Sequence, residues 1–415
     1  MPSQQSTTFP KPLPMLLYWM LFIVLLDRSC QGMTEKPHRE AVMNLVNTYA
    51  NEHSANALKR ELSESSDQLC NRKFVTNIAF PLGCSSLGNT VGSFLNSLVY
   101  ALALNRTIFL THSNNLNTGC SGYMTLKDWV ISRVDLKSIL KKAGCPLTEN
   151  TVDFWDFPPC GYAESSARVI TGDGLFNPAS FTLKDGYDPS ISTFVKNRAR
   201  MLFGSHFGDN SRFEVFGVMM IKAFGFSPEL KNFTRAITRN THSLPNSFRV
   251  SLHLRHRDEK SVQDPSVDVP LDNLGVQALT NIVNLHRNSK CIIYLATDRN
   301  TSIDRVLHHS KELGCVVHMA NRAENPAVID AYAEHGPWAL GILQVADIYL
   351  LGHGDYFIGT WESSYSILIA NLVSASSLLK NSSGNPIFWV KKTGEILSSV
   401  DNQNIEISCK NGRLK

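Results

Sequence analysis

The second half of the chain alternates short apolar runs with longer helical patterns, and this alternation constrains the fold more than any other feature. Residues 248–254 alternate like a strand, and short apolar runs with the composition of strands cover residues 291–297, 315–319 and 355–359. The segments between them have helical periodicity, over residues 274–285, 303–313 and 338–351. Short strands that alternate with helices predict a doubly wound parallel sheet.

A similar pattern occurs earlier in the chain. Residues 74–80 alternate like a strand, a glycine-containing loop follows, residues 93–104 have a helical pattern, and residues 107–110 favour a strand. This order predicts a βαβ unit with parallel strands. Residues 112–245 are rich in loops and aromatic side chains and give no clear pattern. We therefore predict an α/β protein with two Rossmann-like domains, 70–245 and 246–415.

The N-terminus has the pattern of a targeting segment. Lys11 is followed by an apolar run of about fifteen residues, shorter than the ~20 residues of a full membrane span. Cys30 and Gly32 are small enough for a cleavage site, so residues 1–33 are either a signal peptide or an uncleaved anchor. Residues 34–69 are polar with a short amphipathic pattern, which predicts a stem or a leading helix.

Cysteine usage agrees with the secretory pathway. Apart from Cys30 there are eight dispersed cysteines, and none forms a CxxC pair. This pattern favours disulfides over a zinc ribbon or a redox site, but the sequence selects no pairing. Glycosylation sequons begin at Asn105, Asn232, Asn300 and Asn381. The net charge of +4 is too small to indicate a nucleic-acid partner, and 43% hydrophobic residues suffice for two cores.

Polar groups follow the predicted strands of the second half, where ligands collect in open α/β sheets. Arg255 comes just after one strand and suits bidentate phosphate binding, and Asp298 ends another. Ser363, Ser364 and Ser366 lie where a third strand meets a helix, whose free N–H groups attract anions. Together they predict a diphosphate site, although a surface ion pair and simple helix caps are the alternatives.

Asp347 is a carboxylate within an apolar helical pattern, where burial is costly without a partner. It either anchors the strand that precedes Arg255, binds a nucleobase or sugar, or forms a structural ion pair with an arginine.

The first glycine loop reads GCSSLGNT, over residues 83–90. It nearly matches a P-loop, but Asn89 occupies the lysine position, so we reject a kinase or P-loop sulfotransferase. No DxD motif and no metal-ligand spacing occurs in the sequence. We therefore expect no metal and no cofactor, which disfavours a metal-dependent transferase. In a transferase without a metal, cationic side chains and a helix terminus would neutralise the charge of the departing nucleotide.

Four blocks, taken in order, resemble the fucosyltransferase superfamily that includes protein O-fucosyltransferases, core α-1,6-fucosyltransferases and bacterial nodulation enzymes. They read CSSLGNTVGSFLNSLVYALALNRTIFL, HLRHRDEK, IIYLATD and ADIYLLGHGDYFIGTWESSYS, and they span about residues 75–380. The resemblance implies a GT-B fold, in which two Rossmann-like domains face a central cleft, and inverting, metal-independent transfer of fucose from GDP-fucose.

The resemblance also implies roles for individual residues. Arg255 would bind the β-phosphate, supported by His253, and Asp298 and Asp347 would lie near the guanosine. The other implied donor-binding residues lie at the serine-rich helix start, after Arg255 and in the first loop: Ser363, Ser364, Ser366, His256, Gly88 and Asn89.

The sequence departs from the family at two positions. Several relatives have a second arginine where this chain has His256, and core α-1,6 enzymes have a glutamate where it has Gln263, followed by Asp264. A general base would deprotonate the acceptor hydroxyl, and Asp264 and Glu259 are the candidates.

We therefore expect a fucosyltransferase that acts on a glycan or glycoprotein acceptor. The expected location is the Golgi or endoplasmic reticulum lumen, with single-pass anchoring or secretion as alternatives. Two other functions stay open: transfer from a different nucleotide sugar, and a non-catalytic lumenal binding protein of the same fold.

Overall fold

The computed structural model describes residues 35–64, 66–77, 87–103, 105–110, 123–127, 129–146, 169–171, 211–238, 244–256, 269–320, 339–361, 363–380, 387–391 and 394–398. The predicted targeting segment, 1–33, lies outside these ranges. Of the helices within them, none combines the length and apolar character needed to cross a membrane.

The N-terminal half contains a four-stranded parallel sheet. The strands of this half are β1 Phe74–Asn77, β2 Thr107–Leu110, β3 Met124–Leu126, β4 Ile131–Ser132, β5 Val169–Thr171 and β6 Phe224–Phe226. The sheet has the order β4-β2-β1-β5, while β3 and β6 form a separate antiparallel pair. The chain thus adds strands on one side of β1 before it crosses to the other, which is a Rossmann-like order.

Seven helices accompany these strands in the described part of the chain. They are α1 Glu35–His53, α2 Ala55–Glu64, α3 Ser66–Asn71, α4 Leu87–Ala103, α5 Arg133–Lys142, α6 Ser211–Ala223 and α7 Pro228–Thr238. Helix α4 confirms the predicted βαβ unit but begins earlier than residue 93. The reason is that Leu87 and Val91 are buried on the same helical face as Leu95 and Leu98.

The leading segment packs on this sheet. Val42, Val46 and Tyr49 on α1 are buried, and the Tyr49 hydroxyl donates to the Arg106 carbonyl at 3.0 Å. His53 at the end of α1 lies 3.0 Å from the Thr107 hydroxyl through Nδ1. The helical pattern around residues 41–49 therefore predicted α1 correctly, and α1 packs into the core of the N-terminal half.

The C-terminal half forms a six-stranded sheet. Its strands are β7 Ser247–Leu254, β8 Lys290–Thr297, β9 Val316–His318, β10 Tyr356–Thr360, β11 Ile387–Val390 and β12 Ile396–Ser398. The order is β12-β11-β10-β7-β8-β9, and only β12 is antiparallel to its neighbour. This confirms the predicted doubly wound sheet and places a topological switch point between β7 and β10.

Four helices connect the strands of this sheet: α8 Val269–Leu285, α9 Asn300–Glu312, α10 Ala339–Leu351 and α11 Ser364–Lys380. Strands β7 and β8 are almost continuously buried, as expected for parallel strands with a layer on each face. The sequence patterns therefore predicted β7, β8, β9 and β10 closely, whereas β11 and β12 were not predicted.

Two disulfides confirm that cysteines pair. Cys70 pairs with Cys145 in the N-terminal half, and Cys291 pairs with Cys315 between β8 and the start of β9. The remaining cysteines of the sequence lie outside the described residues.

The two halves pack through helices. Helix α6 lies along α11, and Gly217 permits this approach because a Cβ there would overlap the Asn371 carbonyl. Helix α4 meets α11 at their N-termini, where a Cβ on Gly88 would lie 2.9 Å from Tyr365 N. Since α4 follows β1 and α11 follows β10, the carboxyl edges of the two sheets face each other. The α/β class with two facing Rossmann-like units is confirmed, while the boundary near residue 245 stays a prediction.

Candidate functional site

The candidate site lies at the carboxyl edge of the C-terminal sheet. Strands β10, β7 and β8 are consecutive neighbours and parallel, so the residues that follow them meet at one edge. These residues are Ser363, Arg255 and Asp298. The first two flank the topological switch point, where open α/β sheets bind ligands.

Arg255 is held from two directions. Its backbone N–H donates to the Thr360 hydroxyl at 2.8 Å, and that hydroxyl in turn lies 3.4 Å from the His253 carbonyl oxygen. Its guanidinium Nη1 lies 3.0 Å from Asp298 Oδ2, while 47% of the side chain remains exposed. The arginine is therefore oriented by the protein but open to an anion from solvent. Thr360 was not among the residues predicted from the sequence.

His253 lies beneath this arginine at the end of β7. Its ring is buried, and Nδ1 is 2.6 Å from the Ser366 hydroxyl. Burial lowers the pKa of His253 to about 3, with nearby Arg255 and His256 acting in the same direction and Asp298 against it. The imidazole is therefore neutral at physiological pH, and the charge at this edge resides on Arg255.

The serines mark the start of α11. Ser363 is buried, and its hydroxyl accepts from the Ser366 N–H at 3.4 Å, which makes it the cap of the helix. The N–H groups of Ser364 and Tyr365 have no hydrogen-bond partner among the described residues. Unpaired first-turn N–H groups and the helix dipole attract an anion. The hydroxyls of Ser363 and Ser366 thus support the helix start, and its backbone is the available donor.

Gly88 brings the N-terminal half to the same point. It is buried in the first turn of α4, and a Cβ there would lie 3.0 Å from Tyr365 Cα and 3.2 Å from the Ser364 carbonyl carbon. Two helix N-termini therefore converge, each with its positive dipole end toward the gap. Asn89 follows in the same turn, and its predicted role stays a prediction.

Asp347 lies on α10, close to the end of β9. The residue is only partly exposed, and burial of its carboxyl raises the pKa to about 8, against a hydrogen bond from the Ala320 backbone. Burial raises the pKa of the Tyr365 hydroxyl, and a negative charge on Asp347 raises that pKa further. The carboxyl is therefore largely protonated at neutral pH and can donate a hydrogen bond.

The side chain of His256 lies away from the Arg255 guanidinium and the start of α11. Its backbone N–H donates to Asp298 Oδ1 at 3.0 Å, but its buried ring lies between α8 and α9. There Nε2 is 2.7 Å from the Ser302 hydroxyl and 3.2 Å from Asp272 Oδ1. Neither partner was predicted from the sequence, since each is far along the chain from His256 and has no motif around it.

Both candidates for the general base, Glu259 and Asp264, lie outside the described residues, so their roles stay predictions. Within the part of the chain that the structure describes, no group of three or more His, Cys, Asp or Glu side chains is arranged to hold a metal ion.

Fold and geometry together define a two-unit Rossmann-type protein in which two helix N-termini converge between the units. No protein-family model and no curated protein matches the chain. Fucosyltransferases are among the solved structures to which it is similar. A mutant of Arabidopsis thaliana FUT1 in complex with GDP is 13% identical with a TM-score of 0.47, over 80% of this chain and 77% of that chain.

Two further fucosyltransferases are similar at the same level. NodZ from Bradyrhizobium is 13% identical with a TM-score of 0.42, over 79% of this chain and 98% of that chain. POFUT1 in its apo form is 13% identical with a TM-score of 0.39, over 72% and 94%. With TM-scores below 0.5, we draw no functional conclusion from these similarities.

Proposed function

We propose that this chain is a glycosyltransferase that transfers fucose from GDP-fucose to a glycan or glycoprotein acceptor, with inversion and without a metal ion. The observation that carries the proposal is the half-exposed Arg255 guanidinium beside the N-terminus of α11, at the switch point of the C-terminal sheet and opposite Gly88. The four sequence blocks that resemble fucosyltransferases contain these same residues.

The diphosphate would lie between Arg255 and the first turn of α11. Arg255 offers a planar pair of N–H donors, and the Ser364 and Tyr365 N–H groups supply partial positive charge. Asp298 already orients the guanidinium, so little side-chain entropy is lost when the phosphate arrives. These groups would stabilise the charge that grows on the leaving GDP, which is the main electrostatic requirement of the reaction.

The transfer would be a single displacement. The acceptor oxygen forms a bond to the anomeric carbon of fucose while the bond from that carbon to the β-phosphate oxygen breaks, and GDP leaves with the electron pair. Attack from the opposite face inverts the configuration. The acceptor proton passes to a general base, for which Asp264 and Glu259 are the proposed groups.

The guanosine would lie toward Asp347. A carboxyl with a pKa of about 8 is mostly protonated at pH 7, so it can donate to an acceptor atom of the base and accept from a donor atom. This role, like that of Asp298 near the nucleoside, is part of the proposal.

We also propose that the protein works in the lumen of the secretory pathway, in the Golgi or endoplasmic reticulum. The two disulfides support this, because such bonds persist in oxidising compartments. Fractionation of cells that express the chain, followed by protease protection, tests the location: a protease-sensitive protein on intact microsomes would contradict it.

The function is tested with the purified full chain and a panel of GDP-fucose, GDP-mannose and UDP-sugars, each with and without a chelator. We expect selective binding of GDP-fucose and slow release of fucose that the chelator leaves unchanged. Turnover of a different nucleotide sugar would keep the transferase class and replace the donor. No binding of any nucleotide sugar by the folded chain would contradict the proposal and favour a binding protein.

A further inference from the structure

The environment of His256 differs from the donor-contacting role that its sequence position predicted. The ring is 1% exposed and lies between two helices of the C-terminal sheet. Nε2 is within 2.7 Å of the hydroxyl of Ser302, in the first turn of α9, and 3.2 Å from the carboxylate of Asp272, near the start of α8. One imidazole thus connects the residue after Arg255 to two separate helices.

The partners of His256 are themselves buried. Ser302 is fully buried and Asp272 is 3% exposed, while Arg305 lies 3.9 Å from the second oxygen of that carboxylate. A buried carboxylate is costly unless charged or polar groups surround it. The 2.7 Å contact with the Ser302 hydroxyl and the Asp272 carboxylate at 3.2 Å therefore hold the His256 ring in one position.

The backbone of His256 shares a partner with Arg255. Asp298 accepts the His256 N–H through Oδ1 and the Arg255 guanidinium through Oδ2. Since the ring fixes His256 and the shared carboxylate bonds to both residues, displacement of the ring would alter the geometry of Arg255. On the other side, the Arg255 N–H is bonded to Thr360.

We infer that His256 is a positioning residue, whose buried ring holds the chain after β7 so that the Arg255 guanidinium faces the donor diphosphate. The inference rests on the proposed function for its catalytic consequence. It assigns His256 an indirect role, where the sequence predicted direct contact with the donor.

Removal of the ring tests this role. In His256→Ala, we expect kcat with GDP-fucose to fall by about 10²-fold, since small displacements of a catalytic group cost that much. The KM for GDP-fucose should change little, because the lost interaction acts on the leaving group in the transition state. Added imidazole should restore part of kcat to His256→Ala and none to Arg255→Ala. The matched control is His308→Ala on α9, whose side chain is 79% exposed, and it should behave as wild type.

Ser302→Ala serves as a second variant if His256→Ala fails to fold. It removes one hydroxyl, so we expect the same pattern of lower kcat with little change in KM, at a smaller magnitude. Combined with His256→Ala it should add almost no further loss, because both changes act on one contact.

Two kinetic outcomes would overturn the inference. An unchanged kcat and KM in folded His256→Ala would show that the ring has no influence on Arg255. A raised KM with an intact kcat would show that His256 contacts the donor directly.

A substrate-free measurement separates this inference from the proposed function. Amide hydrogen exchange of residues 253–256 should be faster in His256→Ala and Ser302→Ala than in His308→Ala, because the bonds to Thr360 and Asp298 are loosened. If the wild type turns over no GDP-sugar, the proposed function fails, yet faster exchange would still support positioning. Equal exchange in all three variants would overturn the positioning role whatever the substrate.

Discussion

The four-stranded sheet has the same strand order as β9-β8-β7-β10 of the six-stranded one, but the polar clusters compared next lie at opposite edges of the two sheets. In the N-terminal sheet, His53, Arg72 and Thr107 meet at the amino edge, where β1 and β2 begin. In the C-terminal sheet, His253, Arg255 and their partners meet at the carboxyl edge. Only the second position faces the gap between the units.

The exposure of the two arginines shows what this difference means. Arg72 is 14% exposed and paired with Glu61, whereas Arg255 is 47% exposed beside Asp298. Burial lowers the pKa of His53 to about 4 and that of His253 to about 3, so both imidazoles are neutral near pH 7. The first cluster joins the leading helices to the sheet, and the second leaves one guanidinium half-exposed at the gap between the units.

The strongest test of this comparison exchanges each arginine for alanine. Arg255→Ala should lower kcat by about 10²–10³-fold, the effect of losing one group that stabilises the leaving charge. Its free energy of unfolding should change by less than about 1 kcal/mol, because a half-exposed ion pair contributes little.

Arg72→Ala should show the reverse pattern. Loss of a largely buried hydrogen-bonding group should lower the free energy of unfolding by about 1–3 kcal/mol, with kcat per folded molecule unchanged. Urea unfolding and initial rates measured on the same preparations check both variants. A large loss of kcat in Arg72→Ala would contradict the assignment of a structural role to the amino edge of the N-terminal sheet and a catalytic role to the carboxyl edge of the C-terminal sheet.

A second test concerns the contribution of the N-terminal edge. Gly88→Ala places a methyl group 2.9 Å from Tyr365 N and must separate α4 from α11. We expect kcat/KM to fall by about tenfold, in line with the sensitivity of rates to small displacements. The free energy of unfolding should fall by about 1–3 kcal/mol.

Gly92→Ala is the matched control, since it lies on the same helix and its Cβ would meet nothing within 4 Å. It should stabilise the protein by up to about 1 kcal/mol through helix propensity and leave kcat/KM unchanged. Equal kcat/KM values for the two variants would show that Gly88 does not belong to the site.

A third test concerns the pH dependence of stability at the C-terminal edge. The pKa of Asp347 is raised from 3.8 to about 8, so between pH 4 and pH 8 the unfolded chain releases a proton that the folded chain keeps. Stability should therefore fall as pH rises through this window, by up to about 1.4 kcal/mol per pH unit. Asp347→Asn has no carboxyl to ionise at this position, so this decrease in stability with rising pH should be absent from the variant.

Unfolding of Asp347→Asn and wild type at pH 5 and pH 8 checks the slope. At pH 8 the free energy of unfolding of Asp347→Asn should exceed that of wild type. Asp304→Asn, at an exposed aspartate of α9, should show no such increase. An identical pH dependence of Asp347→Asn and wild type would show that the carboxyl ionises normally.

The sequence predicted the C-terminal sheet better than the N-terminal one for a physical reason. Strands β7, β8 and β10 are buried on both faces; β8 reads as a continuous apolar run, and β7 as a clear alternation of apolar and polar residues. Strands β4 and β5 have only two and three residues, too short for any period to appear. Their place in the sheet depends on pairing with β2 and β1, which is a long-range property.

The site was predictable where its residues follow strands. Arg255, Asp298 and Ser363 were found because parallel strands bring their carboxyl ends together. Thr360 was missed because it is the last residue of β10 and looks like an ordinary strand residue. Asp272 and Ser302 were missed because they meet His256 only after α8 and α9 pack on the sheet.

The central claim is that the two carboxyl edges form one nucleotide site. Amide hydrogen exchange of the wild-type full chain, with and without GDP, tests it most directly. The account predicts slower exchange on GDP binding at residues 255–256 and 363–367 and also at residues 87–91, with residues 105–107 at the opposite edge unchanged. Protection confined to the C-terminal sheet, or strongest at the amino edge of the N-terminal one, would contradict it.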